Sequence, residues 1–331
     1  MLVSLLLLLA SAAAVGVAGW VLVAAADAIA ARTGLGRAFL GMILVATVTT
    51  LPELATGLSA VTLVDAPDLA VGAAVGSCVF NLLLFALADA ASRKVAFYGR
   101  LSPSHNLAAA FGIMLLGLLA LSVLAPASAR ASIGHVGMFS MVLAAFYFAS
   151  ARLLFIVDVK VQGDGDLMEE TPIMRMRTAL FRCAGASIVI VVGGVGLALS
   201  ADSLAAETGL TDTFVGVLLV AAATSLPEVI IVLSAVRMQA YDLAAGNLLG
   251  ANLVNGMLIA VYDVAYIKGP ILAAVSDQIA APAVIAMMMT AVIVSALNYV
   301  RRSVPGPVDI WAGLSLVALY LFNIWFLLQA H

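Results

Sequence analysis

The sequence predicts an all-α membrane protein with ten transmembrane helices arranged as two inverted five-helix repeats. Of its 331 residues 64% are hydrophobic and 10% charged, against about 25% charged in an ordinary soluble domain. Its apolar runs are long and continuous rather than alternating, which argues against a transmembrane barrel. The chain also matches itself at a nearly constant offset. A water-facing surface cannot be built from this inventory, so soluble enzymes and nucleic-acid binders are poor readings. A net charge of −3 with no basic run weighs further against nucleic acid.

A hydrocarbon core about 30 Å thick takes roughly 20 apolar residues per helix. On that measure the spans fall at 2–31, 38–63, 67–91, 104–125, 133–157, 176–201, 213–237, 241–266, 272–299 and 307–329. The first has no basic lead-in and outruns the ~7–15-residue apolar core of a secretion signal, so it reads as part of the mature protein. Cys78 and Cys183 lie within spans, so no disulfide framework follows. Of the fifteen Lys and Arg, thirteen fall on one side of this layout, leaving only Arg130 and Lys268 on the other. That bias puts both termini outside the cytoplasm. Residues 158–175 carry Asp158, Asp164, Asp166, Glu169 and Glu170, but not at EF-hand spacing. They read as a cytoplasmic loop joining the halves 1–157 and 176–331.

Ala26-Asp27 recurs as Ala201-Asp202, Thr33-Gly34-Leu35 as Thr208-Gly209-Leu210, Gly41 as Gly216 and Leu51-Pro52-Glu53 as Leu226-Pro227-Glu228, each 175 residues on. After one deletion the offset becomes 174, and Gly72, Gly76 and Asn81 recur as Gly246, Gly250 and Asn255. Five spans is an odd number, so the second copy enters the membrane from the opposite face. Inverted repeats are the architecture of secondary transporters, whose sites lie near the midplane. A channel can also be duplicated, but inversion favours alternating access.

Ionisable groups at membrane depth are costly and mark function by default. Glu53 and Glu228 are each the sixteenth residue of their predicted spans, near the centre. Asn81 and Asn255 are similarly central in the third and eighth spans. Each glutamate follows a proline, which removes one helical hydrogen bond and distorts the backbone. The carbonyls freed or strained belong to Val48 and Thr49 in one half and to Ala223 and Thr224 in the other, flanked by the hydroxyls of Thr49, Thr50, Thr224 and Ser225. Such backbone is tolerated at depth only where it lines a cavity or is buried in protein. Oxygen donors in that number, without histidine, suit hard cations such as Ca²⁺ or Na⁺ rather than Zn²⁺ or Cu. Two carboxylates balance one divalent or two monovalent ions, a physical basis for exchange.

Other readings were available for several residues. One Pro-Glu pair could be a simple kink with a paired carboxylate, but the whole cluster recurs. Asp27 and Asp202, near span ends, read as caps, and Asp89 as the partner of Arg93. No role is assigned to Asp263, Asp277 or Asp309. An intramembrane enzyme lacks a nucleophile with a base partner, because His105, His135 and His331 lie away from the centre. No cofactor signature is present.

At these residues the sequence resembles the Ca²⁺:cation antiporter superfamily, most closely its prokaryotic sodium/calcium exchanger branch. The segments GMILVATVTTLPELATGLSA (41–60) and VGVLLVAAATSLPEVIIVLSA (215–235), followed by GAAVGSCVFN (72–81) and GNLLGANLVN (246–255), look like its paired alpha repeats. The resemblance implies that inward Na⁺ movement drives Ca²⁺ out. It implies that Glu53 and Glu228 serve both ions, with calcium-binding carbonyls at Thr49 and Thr224 and sodium-binding hydroxyls at Thr50 and Ser225. It further implies carbonyl donors at Ala46 and Ala221, a peripheral sodium ligand at Ser77 and a central polar pair at Asn81 and Asn255. The first and sixth spans would slide against the rest. Departures are Val48 and Ala223 for Gly, Ala73 and Cys78 for Asn, Ala251 for a sodium-liganding Ser, and Asn255 where potassium-dependent relatives carry Asp. No K⁺ requirement is expected.

The sequence therefore predicts an antiporter exchanging Ca²⁺ for Na⁺ in a cell inner membrane, with Ca²⁺/H⁺ exchange as the alternative. Its partners are the transported ions and the lipid bilayer. No cofactor, nucleic acid or obligate protein partner is expected.

Overall fold

A computed structural model describes residues 2–92, 97–126, 131–163, 174–208, 224–299 and 310–330. Ten helices follow one another: α1 (Leu2–Thr33), α2 (Arg37–Val64), α3 (Pro67–Ala91), α4 (Ser104–Leu124), α5 (Met138–Gly163), α6 (Met176–Thr208), α7 (Leu226–Arg237), α8 (Tyr241–Ala265), α9 (Ala280–Tyr299) and α10 (Ile310–Ala330). Among the described residues nine helical stretches are long and apolar enough to cross a membrane. The predicted span 213–237 is described only from residue 224, and its α7 part is 12 residues long.

Local sequence sets the boundaries. α1 stops at Gly34, whose φ of 71° is the left-handed cap that glycine adopts without strain. The Gly34 N–H donates to the Ala30 carbonyl at 3.1 Å. α2 ends at Asp65, also left-handed with φ 58°. α3 then begins on Pro67, where a missing N–H costs nothing. Asp65 pairs with Lys268 at 2.5 Å on the exposed surface and pushes the Lys268 ammonium pKa up.

Three predicted spans need correction. The fifth begins at Met138 rather than 133, because β1 (Ser132–Ile133) and β2 (Val136–Gly137) form a small antiparallel hairpin first. The ninth is not continuous from 272. A turn of helix at Ile271–Ala274 is followed by extended backbone at Val275 and Ser276, then a 3₁₀ turn at Asp277–Ile279. α6 also runs past the expected 201 to Thr208.

Asp263, left without a role by the sequence, organises this end of the molecule. It is fully buried and accepts the backbone N–H groups of Gly137 at 2.7 Å and Ile271 at 2.5 Å. It thereby ties the hairpin and the short helix to α8. Hydrogen bonds to a charged acceptor contribute about 1.5–3 kcal/mol each. Asp263→Ala should lower unfolding stability by about 2–4 kcal/mol, since two buried donors lose their partner, read as an earlier thermal transition in detergent. Asp27 is likewise not a cap but the ion-pair partner of Arg37. The Asp202 side chain, Arg93 and Asp309 lie outside the described residues.

α8 is the centre of the fold, with 78% of its most apolar window buried, against 17% for α10 at the periphery. It packs on α3 and on the first half of α2. Small residues permit that approach. A Cβ on Gly250 would fall 2.2 Å from the Met42 carbonyl oxygen, and one on Gly246 would fall 2.4 Å from that of Ala38. α1 and α6 form a second unit, crossing where Gly193 meets Val15 and Gly196 meets Ser11. Gly194, between them, faces Pro52 and, at longer range, Pro227.

Candidate cation site

The two Leu-Pro-Glu segments produce the same local backbone. α2 breaks at Thr50 (φ −88°, ψ 0°), and α7 starts after Ser225 (φ −88°, ψ 5°). In each case a new helix opens on leucine, with proline second and glutamate in the first turn. Proline has no N–H to offer the carbonyl four residues back, so Val48 loses its helical donor. Helix termini leave polar backbone groups exposed, and here they are at membrane depth.

Both carboxylates are buried, Glu53 at 6% exposure and Glu228 at 1%. The Glu228 carboxylate lies near enough to Glu53 for its charge to act there. Among the described residues neither has a basic partner, and Glu53 Oε2 and both Glu228 oxygens have no hydrogen-bond donor. A buried charge without a partner is costly, and two near one another more so. The arrangement is stable only if something positive shares it.

The remaining predicted residues divide. Thr49, Thr50, Thr224 and Ser225 are all buried around the two breaks. The Thr49 side chain lies beside the Glu228 carboxylate. Its hydroxyl is 3.1 Å from the Ala46 carbonyl and 3.2 Å from Asn247 Oδ1, while Thr50 Oγ1 donates to the same Ala46 carbonyl at 2.9 Å. That carbonyl is therefore already engaged. Asn81 donates through Nδ2 to Asn252 Oδ1 at 3.2 Å, leaving its own Oδ1 without a donor. Asn255 is buried, with neither amide atom bonded among the described residues. Ser77 is half-buried one turn before Asn81 on α3. Ala221 and Ala223 lie outside the described residues.

Two residues of this shell were missed. Asn247 and Asn252 on α8 are buried, and Asn252 Nδ2 also donates to the Cys78 carbonyl at 3.3 Å. Their repeat partners, at 247 − 174 = 73 and 252 − 174 = 78, are Ala73 and Cys78, so a search for residues shared by both halves passes them over. The signal available was three asparagines within nine residues of one apolar span, 247–255. Among the described residues no three His, Cys, Asp or Glu side chains cluster. The donors present are oxygens of two carboxylates, amides, hydroxyls and carbonyls, a set that matches hard cations.

Known proteins are similar to this chain in sequence or in fold. YrbG, an inner membrane protein of Escherichia coli K12, is 29% identical over 248 residues, 72% of each chain. The sodium/calcium exchanger MaX1 of Methanosarcina acetivorans is 37% identical over 82 residues, 25% of this chain and 22% of its own length. The fold matches solved structures of the sodium-calcium exchanger NCX_Mj, one soaked with 10 mM Na⁺ and zero Ca²⁺, at a TM-score of 0.75 and 18% identity, covering 98% of both chains. Another, soaked with 100 mM Na⁺ and 10 mM Sr²⁺, gives 0.75 and 20% with the same coverage. The sodium/calcium exchanger family model matches residues 3–157 and 178–329. This multi-span chain, with its paired acid-bearing helix breaks, belongs to the sodium/calcium exchanger protein family.

Proposed function

We propose that this chain exchanges Ca²⁺ for Na⁺ by alternating access at one central site built around Glu53 and Glu228. The observation that carries the reading is the pair itself, two buried carboxylates at equivalent helix breaks, neither with a basic partner among the described residues. Family membership and the NCX_Mj fold support ion exchange, and the NCX_Mj structures were obtained with Na⁺, Ca²⁺ or Sr²⁺. Thr49, Thr50, Thr224, Ser225, Asn81, Asn255 and Ser77 would supply further oxygens, as would the Ala46 and Ala221 carbonyls. Asn247 and Asn252 set the amides in register from α8. One Ca²⁺ or two Na⁺ neutralise the two acids. An empty site carries two negative charges into low dielectric, which opposes crossing between outward- and inward-facing states.

The halves 1–157 and 176–331 are, in this reading, inverted repeats, supported by the sequence match at offset 175 and by the two stretches that the family model covers. Both termini then face away from the cytoplasm, and 158–175 faces it.

Proton coupling is the second reading, favoured by Ala251, which removes a hydroxyl where a sodium ligand is expected. Proteoliposomes separate the two. Vesicles loaded with Na⁺ and diluted into Na⁺-free buffer should accumulate ⁴⁵Ca²⁺, with or without K⁺, and a pH gradient alone should not drive uptake. Uptake driven by the pH gradient and indifferent to Na⁺ would establish Ca²⁺/H⁺ exchange instead.

A further inference from the structure

Tyr262 lies near the end of α8, 1% exposed. Its hydroxyl donates to the main-chain carbonyl of Glu53 at 2.9 Å. The ring fills the space left by Gly57, one turn further along the same helix. A Cβ at Gly57 would lie 2.2 Å from the ring's Cζ and 2.3 Å from its hydroxyl oxygen. The contact is thus made to the backbone turn that bears the carboxylate, not to the carboxylate. Thr56 Oγ1 donates to the same carbonyl at 3.0 Å. Tyr262 is held in turn, because the next residue, Asp263, is bonded to the hairpin and to the short helix at Ile271.

The residue pair that makes this restraint does not recur in the sequence of the other half. At the repeat offsets, Tyr262 corresponds to Ala88 (262 − 174) and Gly57 to Val232 (57 + 175). Alanine at that position offers no hydroxyl, and valine carries a side chain where glycine has none.

We propose that Tyr262 is a positioning residue for Glu53: by bonding the first turn after the α2 break to α8, it fixes where that carboxylate meets a cation and makes Glu53 the stiffer of the two acids. The inference rests on Glu53 being a cation ligand. Discrimination between ions of the same charge depends on cavity size and ligand flexibility, so a stiff acid favours one ionic radius. Losing the bond blurs that preference.

The test uses the full chain in proteoliposomes and compares wild type, Tyr262→Phe and Thr56→Val. Tyr262→Phe keeps the ring in the Gly57 notch and removes only the hydroxyl. Thr56→Val removes the local donor to the same carbonyl without touching α8. Tyr262→Phe should raise the KM for ⁴⁵Ca²⁺ roughly five- to tenfold, the size of one lost hydrogen bond. Its Vmax should stay within about twofold, Sr²⁺ should compete more nearly as well as Ca²⁺, and the thermal transition should stay close to that of wild type. Thr56→Val should keep the wild-type KM. An unchanged KM and Sr²⁺ competition in Tyr262→Phe, or an equal KM rise in Thr56→Val, would make Tyr262 a packing residue and overturn the proposal. A wild type that takes up no ⁴⁵Ca²⁺ under any gradient would instead overturn the site reading beneath it.

Discussion

Glu53→Gln and Glu228→Gln should each abolish ⁴⁵Ca²⁺ uptake while leaving the protein folded. Glutamine keeps the shape and one carbonyl oxygen but removes the charge. A divalent ion would then share its buried site with one carboxylate instead of two. Removing one partner of a buried charge pair costs about 3–5 kcal/mol, and every 1.4 kcal/mol is tenfold in affinity. Calcium binding should weaken by two to three orders of magnitude or more. Folding should not suffer, because glutamine is nearly isosteric and places no charge where burial makes one costly. A thermal transition at or above that of wild type, with no flux, is the expected signature. Wild-type flux in both variants would remove these residues from the site.

The second large effect is steric. Gly250→Ala should destabilise the protein and eliminate flux, because the new methyl would fall 2.2 Å from the Met42 carbonyl oxygen and 2.5 Å from its Cα. Those are backbone atoms, which cannot turn aside as a flexible side chain can. Overpacking of a tight core costs about 1–3 kcal/mol, occasionally more. Here it also pushes the first half of α2, which ends at the Thr50 break, away from the asparagines of α8. Gly16→Ala is the control. Among the described residues no atom beyond its own stretch of helix lies within 4 Å of its added Cβ, and alanine in a helix is worth up to about 1 kcal/mol over glycine. Gly16→Ala should fold and transport normally, while Gly250→Ala should show an early thermal transition and little ⁴⁵Ca²⁺ uptake.

Much of the scaffold was legible because membrane helices announce themselves through composition, and the proline before each glutamate marks a break whatever surrounds it. The sequence marks the distortion through Pro52 and Pro227, since Leu-Pro-Glu stands in both halves, but not that the breaks fall at Thr50 and Ser225. The hairpin at 132–137 was not legible. Ile133 and Val136 are as apolar as the helix that follows, and hydropathy does not distinguish a short pair of strands from the first turn of a span. Asp263 was passed over because its role is to accept two backbone N–H groups brought in from 126 residues before it and 8 after it, which no local pattern records. Asn247 and Asn252 were missed for a different reason. A search for what the two halves share is blind to what only one of them has, and the same blindness hid Tyr262.

Gly194 has a consequence of its own. A methyl there would come within 2.4 Å of Pro52 Cγ and 3.8 Å of Pro227 Cγ, so one point on α6 lies near both elbows. The bare glycine lets α6 seat this close to the Pro52 elbow, and any bulk there would meet that proline first and reach toward the second.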